Sequence, residues 1–321
     1  MARVMSKAAI AAAFCAALAV AACSSGGSSS TSTSTSASGS TSASSPAAAG
    51  TASGSASLAG SVPASIKSTG QLSFGTAALG GVISYVDEST GQITGLEPTL
   101  VADVAQLLGL KVATQKIAFA SLIPALQTSR VDVGANGLTD TALRESQVDF
   151  VDYATTWSDI VVQKGNPAGI KTVNDLCGKK IVELAGAAQA VYAEGLVQSC
   201  PKAGLKAPTV TTTTDVGEVS LAVESGQVDA TITSQSTSGS NVAASGGKLA
   251  EVPGVRLIPS YVGFIFTKGS PLIGPFQQAL DELIQNGTYA QVMAKYGQQS
   301  TELHGQAPTN AADNPPTITA S

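Results

Sequence analysis

Residues 125–133, ALQTSRVDV, end a helical pattern, pass through a turn and enter a strand that begins with Val and Asp. Residues 222–230, AVESGQVDA, repeat this arrangement about a hundred residues later. A match this short can arise by chance, but both copies have the same helix-to-strand context. The pair therefore predicts two similarly built α/β lobes.

The chain before the first copy has the pattern of a strand–helix–strand unit. A short strand begins at Gln71, and residues 95–110, GLEPTLVADVAQLLGL, carry apolar side chains at helical spacing with a proline in the first turn. Residues 111–119 return to a strand pattern. This order is typical of α/β proteins.

The alternation continues to the end of the predicted domain. Residues 178–195 predict a strand, a glycine turn and a helix, and Asp215 and Glu218 fit a capping box for the helix before the second copy. Residues 255–269 predict a long apolar strand, and two amphipathic helices follow in 271–297.

The first 22 residues have the features of a secretory signal peptide, with two basic residues ahead of a short apolar run. Cys23 follows VAA, which resembles the lipobox of bacterial lipoproteins, and is predicted to carry the lipid; a plain signal peptide with a chance cysteine is the alternative. Residues 23–60 are mostly Ser, Thr, Ala and Gly and are predicted to form a disordered tether.

Composition limits the classes of function. The 321-residue chain has a net charge of −5, and 4% of its residues are aromatic, so it is mildly acidic with few stacking side chains. No cluster of Lys and Arg with interleaved aromatic residues is present, and nucleic-acid binding is therefore not expected. Residues 301–321 are rich in Pro, Asn, Thr and Ala and are predicted to form a disordered tail.

Two of the four cysteines lie in the signal region, which leaves Cys177 and Cys200. In an exported protein these two are expected to form a disulfide, with two buried free thiols as the alternative. A metal site is not expected, because the only histidine, His304, lies in the predicted tail. Nothing in the sequence implies a cofactor.

Residues 136–152, NGLTDTALRESQVDFVD, contain a group suited to binding an anion. Arg144 is a fixed cation close to Thr139 and Thr141, which can cap the helical turn 142–147. The free N–H groups of that turn favour an anion, and a guanidinium can clamp a carboxylate with two N–H groups. A solvated surface arginine is the alternative interpretation.

The order of these elements, and seven segments within it, resemble the solute-binding proteins of ABC importers, in the polar amino acid family, family 3. The resemblance covers about residues 70–300, and the lipobox, tether and paired cysteines are similar to the lipoprotein form of actinobacterial members. The segments are ITGLEPTLVADVAQLLGLKV, FASLIPALQTSRVDV, LTDTALRESQVDF, DLCGKKIVELAG, SGQVDA, YVGFIFTKG and NGTYAQVMAKYG.

The resemblance implies a periplasmic-binding-protein-like fold, in which two α/β lobes are joined by two crossover strands, with a ligand cleft between them. The crossovers would fall near 155–163 and 257–266. Lobe 1 would comprise 61–155 and 266–300, and lobe 2 would comprise 156–265 with the hinge strands. The protein would be a monomer, lipid-anchored on the extracellular face of the cell membrane, that captures a small carboxylate-bearing solute by hinge closure and delivers it to ABC permease subunits.

The resemblance also assigns ligand-binding residues in lobe 1. Arg144 falls on the family arginine that holds the ligand carboxylate, and Thr139 falls on the hydroxyl residue that supports it. Gly137 falls on a position whose backbone usually helps, and Phe119 matches an aromatic residue near the cleft. The family residues therefore favour Arg144 as a carboxylate anchor over a surface arginine.

The lobe 2 half of the family site departs from the pattern. Ser234 stands where the family has an acid for the α-amino group, Ala187 and Ala188 replace paired threonines, and residues 79–82, LGGV, replace an aromatic wall. Ser234 and Gln189 are expected to offer hydrogen bonds. A standard α-amino acid in the usual pose is not expected, because a buried ammonium group beside Ser234 lacks a counter-charge.

Three acidic residues, Glu97, Asp159 and Glu183, are the nearest substitutes for that counter-charge. Glu97 is interpreted as a helix-start residue, and Trp157 can pack at the hinge or touch the solute. A dehydratase-like enzyme on the same fold is an alternative function, although the cleft supplies no histidine. A sensing or interaction lipoprotein without a transport role is a further alternative.

Overall fold

The computed structural model of the protein describes residues 58–318. The predicted signal peptide, Cys23 and all but the last three residues of the predicted tether lie outside them. The described residues form a mixed sheet of nine strands, a separate two-stranded ribbon and the helices that cover them.

The bounds of the elements follow the alternation predicted from the sequence. The first part of the chain contains α1 (Ala64–Thr69), β1 (Gln71–Thr76), β2 (Tyr85–Val86), β3 (Ile93–Thr94), α2 (Leu96–Leu107), β4 (Lys111–Lys116), α3 (Leu122–Gln127), β5 (Val133–Thr139), α4 (Ala142–Glu145) and β6 (Val148–Gln163). The second part contains β7 (Lys180–Leu184), α5 (Ala188–Lys202), β8 (Thr209–Thr213), α6 (Val216–Glu224), β9 (Ala230–Ser234), α7 (Gln235–Ala244), β10 (Leu249–Glu251), β11 (Leu257–Thr267), α8 (Ile273–Gln285) and α9 (Thr288–Lys295).

One continuous sheet joins two groups of strands. Its order is β4-β1-β5-β11-β6-β9-β7-β8, with β10 paired to β6. We define lobe 1 as β1, β4 and β5 with the parts of β11 and β6 that pair with each other, and lobe 2 as β7 to β10 with the end of β6. β6 pairs with β11 over residues 148–158 and with β9 over residues 158–162, so this strand belongs to both lobes.

The backbones of β11 and β6 approach each other closely where β11 enters lobe 1. The register between the two strands shifts between Val262 and Gly263. A Cβ atom at Gly263 would lie 2.5 Å from Asp152 Oδ1 and 2.9 Å from the Val151 carbonyl oxygen. The absence of a side chain at Gly263 therefore permits this close approach of the two backbones.

Consecutive strand residues in lobe 1 pack into two different hydrophobic clusters. Val151 and Phe264 pack in the cluster that contains residues of α2, α8 and α9, whereas Phe150 and Ile265 pack in the cluster that contains residues of α3. Side chains of a strand alternate between the faces of a sheet, so the two clusters cover opposite faces.

Lobe 2 repeats this arrangement. Ile160 and Ile181 pack in a cluster with Ala193 of α5, whereas Val161 and Val182 pack in a separate cluster with residues of α6. Both faces of the sheet are thus covered by helices in each lobe, as expected for α/β proteins.

The two Val-Asp stretches directly precede matching strands, and β5 and β9 each follow a helix and a short turn. The Asp215 side chain caps α6 as predicted, and its Oδ1 atom accepts the Gly217 N–H at 2.7 Å. The reciprocal half of the predicted capping box is not formed, because the Glu218 carboxylate accepts the Thr213 hydroxyl instead.

The predicted tether ends before residue 60, because Leu58 and Val62 are buried in the lobe 1 core. The sequence around them is rich in Ser, Ala and Gly, and two apolar residues at a spacing of four are a weak signal for a packed turn. The apolar surface they bury explains why this stretch is ordered.

The tail predicted to be disordered over 301–321 is packed against lobe 1 through much of the described range. We name residues 302–318 the C-terminal segment; its side chains of Leu303, Ala307 and Ala311 are buried. The Leu303 N–H donates to the Tyr289 hydroxyl at 2.9 Å, and the Tyr289 hydroxyl donates to the Tyr153 carbonyl at 2.7 Å. The segment is therefore joined to both β6 and α9.

Hydrogen bonds, more than apolar burial, order the C-terminal segment, although its composition predicted disorder. The Pro308 carbonyl accepts the Asp152 N–H at 2.9 Å, and Asn310 Oδ1 accepts the Phe150 N–H at 2.8 Å. The Ala311 N–H donates to Asp140 Oδ2 at 2.8 Å. Since these partners lie far away in the sequence, composition alone does not reveal them.

A group of carboxyl side chains lies beneath the C-terminal segment. Burial raises the pKa of Asp152 to about 9, and the neighbouring Asp140 and Glu145 raise it further in the same direction. Burial also raises the pKa of Asp140 to about 7, which the hydrogen bond from the Ala311 N–H opposes. Asp152 therefore takes up a proton at neutral pH in the folded protein.

Cys177 and Cys200 form a disulfide with a Cα–Cα distance of 5.7 Å. The bridge joins the end of a 3-10 helix, Val173–Leu176, to α5. Both cysteines belong to lobe 2.

Replacing both cysteines, Cys177→Ser and Cys200→Ser, is expected to lower the free energy of unfolding by roughly 3 to 4 kcal/mol, because the bridge closes a loop in the unfolded chain. The sequence separation of the bridged residues is 23. Guanidinium unfolding of the oxidised protein and the double variant measures the difference. Reduced wild type serves as the control, and equal stabilities of oxidised wild type and variant would contradict the expectation.

Stability is expected to fall as the pH rises from about 4 to about 9, because the raised pKa of Asp152 means that the folded state binds a proton that the unfolded state releases. The variant Asp152→Asn should show a shallower decline and should be more stable than wild type at pH 9. Unfolding midpoints at several pH values test this. The control is Asp313→Asn, at an exposed position of the same segment; a decline in Asp152→Asn parallel to wild type would refute the assignment.

Candidate functional site

A cavity lies between the lobes at the carboxyl ends of β7 and β9. The space between its walls is about 870 Å³, including the part open to solvent. Lobe 1 contributes the loop 79–83, Phe119 and residues 136–137, and lobe 2 contributes the ends of β7 and β9 with the starts of α5, α6 and α7. Ligand sites of α/β sheets commonly lie beyond the carboxyl ends of strands, which is the position of this cavity.

The wall of the cavity combines apolar side chains with hydroxyl and amide groups. One ionisable side chain, Glu183, is among the lining residues. The apolar lining side chains include Leu79, Val82, Ile83, Phe119, Val216 and Val219, and the polar ones include Asn136, Gln189, Thr231, Ser234, Thr237 and Asn241. Such a lining suits a small polar solute.

Arg144 bridges the two lobes beside this cavity. Its NH1 group donates to the Thr139 carbonyl at 2.7 Å and its NH2 group donates to the Gly186 carbonyl at 2.9 Å. The guanidinium carbon lies 5.9 Å from the centre of the Phe119 ring. Burial lowers the pKa of Arg144 to about 10, which Asp140 opposes, so the side chain stays charged at neutral pH.

The residues predicted for the site are brought together only in part. Gly137, Phe119, Ser234 and Gln189 line the cavity. Arg144 and Thr139 are not among the lining residues, and the guanidinium group points to the Thr139 and Gly186 carbonyls. The contact of Thr139 with Arg144 uses its backbone carbonyl, whereas the resemblance implied its hydroxyl.

The backbone at Gly137, within β5, is held by Glu97, the second residue of α2. Glu97 Oε1 accepts the Gly137 N–H at 2.7 Å and the Tyr153 hydroxyl at 2.9 Å. Burial raises the pKa of Glu97 to about 8, and these two hydrogen bonds oppose the shift. The Gly137 N–H is thus occupied in this conformation, and Glu97 is a helix-start residue, as interpreted from the sequence, that also positions the cavity wall.

The loop at 79–82 approaches the start of α7 from lobe 1. Gly81 has a φ of +65°, and a Cβ atom there would lie 3.1 Å from Ser240 Oγ. A larger residue at this position would be strained and would meet α7. Gly81 therefore lets the backbone of this loop lie close to α7, while Leu79 and Val82 of the same loop line the cavity.

Ser234 ends β9, and its hydroxyl group donates to Thr237 Oγ1 at 2.9 Å. The serine hydroxyl is a neutral group, so Ser234 supplies no charge to the cavity. Gln189 Nε2 donates to the Ser158 hydroxyl at 2.9 Å. Both predicted lobe 2 residues therefore reach the cavity as neutral polar groups.

Sequence reasoning named Glu183 only as one of three acids near the site. The structure buries Glu183 at the end of β7, where its Oε1 atom accepts the Ile232 N–H at 2.7 Å. Burial raises the pKa of Glu183 well above its usual range, which the hydrogen bond from Ile232 opposes. The available sequence signal was an acid within the apolar strand stretch IVEL.

Trp157 and Asp159 lie away from the cavity lining. The Trp157 Nε1–H donates to Asp159 Oδ1 at 3.1 Å, and the Arg256 guanidinium carbon lies 4.4 Å from the centre of the Trp157 ring. Trp157 therefore packs on the hinge strand, where the Asp159 carboxylate accepts its hydrogen bond.

Within residues 58–318, no helix has the length and apolar character that a membrane crossing needs.

A sequence model of the bacterial extracellular solute-binding proteins, family 3, matches residues 73–299. The chain is 29% identical over 238 residues to the L-cystine-binding protein of Bacillus subtilis strain 168, which covers 72% of this chain and 82% of that relative. It is 27% identical over 211 residues to an arginine-binding protein of Corynebacterium glutamicum, covering 65% and 69% of the two chains.

Solved structures give the same picture of the fold. An ancestral arginine-binding protein bound to arginine is 31% identical, with a TM-score of 0.63 and coverage of 71% of this chain and 98% of its own. An ancestral amino acid-binding protein that is a precursor of cyclohexadienyl dehydratase is 28% identical, with a TM-score of 0.64 and coverage of 72% and 97%. These likenesses confirm the predicted two-lobed, periplasmic-binding-protein-like α/β fold.

Glu97→Ala is expected to lower the free energy of unfolding at pH 7 by roughly 2 to 5 kcal/mol, because it leaves the Gly137 N–H and the Tyr153 hydroxyl without an acceptor. Glu97→Gln should retain most of the stability, since the raised pKa keeps Glu97 neutral at that pH. Urea unfolding measures both. The control is Glu88→Ala at an exposed position, and equal losses for the two Glu97 variants would count against the proposed positioning role.

Proposed function

The chain belongs to the bacterial extracellular solute-binding proteins, family 3, and on that premise we propose that it is the receptor of an ABC importer. It captures a small polar solute that carries a carboxylate, encloses it by closing the two lobes, and delivers it to a permease. The observation that carries the proposal is the cavity between the lobes, beside which Arg144 bridges from Thr139 in lobe 1 to Gly186 in lobe 2.

A buried guanidinium group favours a carboxylate partner. Arg144 is 7% exposed, and neither of the two ion pairs recorded within residues 58–318 involves it. Two of its five N–H donors are used by the carbonyls of Thr139 and Gly186, so donors remain for a solute. A carboxylate bound there would add to the negative charge that Asp140 supplies near this buried cation.

Solute capture is coupled to the shape of the protein through Gly186. A Cβ atom at Gly186 would lie 3.6 Å from Ala120 Cβ of lobe 1, so the lobe 2 loop packs closely on lobe 1. Opening of the cleft separates Gly186 from Arg144 and exposes the guanidinium group to a solute. Closing around the solute then gives a form that the permease distinguishes from the empty one.

Under this proposal the lipid on Cys23 and the tether hold the protein, as a monomer, at the extracellular face of the cell membrane. Cys23 and all but the last three residues of the predicted tether lie outside the described residues. Relatives named as binding cystine and arginine make amino acids the first solutes to test.

A sensing lipoprotein, the alternative role, would bind its solute in the same cavity but would not deliver it to a permease.

A dehydratase-like enzyme is the second candidate, because one similar structure is a precursor of cyclohexadienyl dehydratase and the cavity contains a carboxyl group that can move a proton. The binding role is favoured, since Glu183 is the single ionisable residue of the lining and already accepts the Ile232 N–H. Turnover of prephenate by the purified protein would support the enzyme instead.

Calorimetry with amino acids, hydroxy acids and dicarboxylic acids tests the proposed function. We expect at least one carboxylate-bearing solute to bind, and mass spectrometry of the solute that co-purifies with the protein identifies the best probe. Failure of every carboxylate in the panel to bind would refute the proposal.

Arg144→Ala is expected to weaken binding of the tightest carboxylate in that panel by about 2 to 5 kcal/mol, because the carboxylate loses its buried partner. Arg144→Lys should lie between the two, since it keeps the charge without the two-pronged geometry. The control is Arg130→Ala, which removes an exposed arginine. Unchanged affinity in Arg144→Ala would remove this residue from the site.

A further inference from the structure

Arg144 lies on a helix that has few contacts of its own to hold it in place. The helix, α4, is four residues long, and Arg144 is its one buried residue. The neighbouring Leu143 side chain is 64% exposed, so it adds little apolar packing. A single helical turn is marginally stable by itself. Contacts from elsewhere in the chain must therefore determine the direction of the Arg144 side chain.

The C-terminal segment makes such contacts at both ends of α4. The Ala311 N–H donates to Asp140 Oδ2 at 2.8 Å, directly after β5. The Ala312 N–H donates to Glu145 Oε1 at 2.8 Å, and Glu145 is the last residue of α4. Two adjacent amides of the segment therefore fix the two ends of the helical turn.

Asn310 adds two hydrogen bonds at β6, the strand that follows α4. Its Oδ1 atom accepts the Phe150 N–H at 2.8 Å, and its Nδ2 atom donates to Asp149 Oδ1 at 3.0 Å. The C-terminal segment is in turn anchored to α8, because Asp281 Oδ1 accepts the Ala307 N–H at 2.7 Å. The segment thus connects the turn that contains Arg144 to the body of lobe 1.

Asp140 links the segment to the guanidinium group by its charge. It is 3% exposed, and its carboxyl group and Arg144 attract each other electrostatically. Its Oδ2 atom accepts the Ala311 N–H, whereas its Oδ1 atom has no hydrogen-bond partner within residues 58–318. Displacement of the segment would leave both oxygens unpaired. A buried carboxylate in that state would compete with a solute for Arg144.

We infer that the C-terminal segment positions Arg144 for the carboxylate of the solute. Asn310, Ala311 and Ala312 are the positioning residues, which hold α4 in place and keep Asp140 from pairing with the guanidinium group. This inference rests on the proposed function, in which Arg144 binds the carboxylate. It gives a role in recognition to residues that lie outside the stretch 73–299 matched by the family model.

The competing explanation is that the segment only stabilises lobe 1. Asn310→Gly removes both side-chain hydrogen bonds, and glycine adopts the φ of +48° at this position without strain. Glu145→Ala removes the acceptor of the Ala312 N–H, whereas Glu145→Gln keeps an acceptor oxygen. Asn314→Gly makes the same substitution as Asn310→Gly at an exposed position of the segment and is the matched control.

Calorimetry with L-arginine, L-glutamine, L-lactate and succinate is performed on wild type and these variants, after circular dichroism confirms that each is folded. For each carboxylate that wild type binds, we expect about 5- to 50-fold weaker affinity in Asn310→Gly and in Glu145→Ala. The reason is that a smaller fraction of the molecules then holds Arg144 in the binding orientation. Glu145→Gln and Asn314→Gly should stay within about threefold of wild type.

Combination with Arg144→Lys distinguishes positioning from stability. If the segment directs the guanidinium group, Asn310→Gly should weaken binding by less than about threefold in the Arg144→Lys background. A lysine lacks the two-pronged geometry that depends on this direction, so the two changes are not additive. A general loss of lobe 1 stability would lower the affinity by the same factor in both backgrounds.

The outcomes separate the inference from the function on which it rests. Unchanged affinity in folded Asn310→Gly and Glu145→Ala, or an equal loss in the two Arg144 backgrounds, would overturn the inference and leave the receptor function intact. A loss in Glu145→Gln as large as that in Glu145→Ala would also overturn it, because the hydrogen bond to Ala312 would then not be the cause. Failure of wild type to bind any carboxylate would overturn the proposed function and the inference together.

Discussion

The hydrogen-bonded ladder between β6 and β11 is the constraint on which the rest of the structure depends. β6 has 16 residues and pairs with β11 in lobe 1 and with β9 and β10 in lobe 2. The two lobes are therefore parts of one sheet, and their relative movement must be accommodated within these strands. Gly263 allows the close approach of β11 to β6 at the entry to lobe 1.

Elements that depend on local patterns could be predicted from the sequence. Apolar spacing predicted α2, and the Val-Asp stretches predicted β5 and β9, because burial of one helix face and short strand starts leave a local trace. Residues 302–318 were misjudged because the partners of Pro308 and Asn310 are Asp152 and Phe150, about 160 residues away. Their composition contains no sign of those partners.

The residues of the site also fall into those that could be predicted from the sequence and those that could not. Phe119 could be identified from a family segment, and Ser234 and Gln189 were expected as hydrogen-bonding residues of lobe 2. All three line the cavity. The roles of Glu97 and Glu183 could not, since each carboxyl group acts on a backbone N–H that lies 40 or 49 residues away. The orientation of Arg144 was also inaccessible, because its second acceptor, the Gly186 carbonyl, is provided by the other lobe.

The disulfide lies entirely within lobe 2, because Cys177 and Cys200 both fall between β6 and β8 in the chain. The bridge therefore links two parts of lobe 2 and does not connect the two lobes. Oxidation therefore constrains lobe 2, which contains Glu183, and adds no covalent link between the two lobes. A bridge placed in this way can stabilise the folded chain without restricting a movement of one lobe against the other.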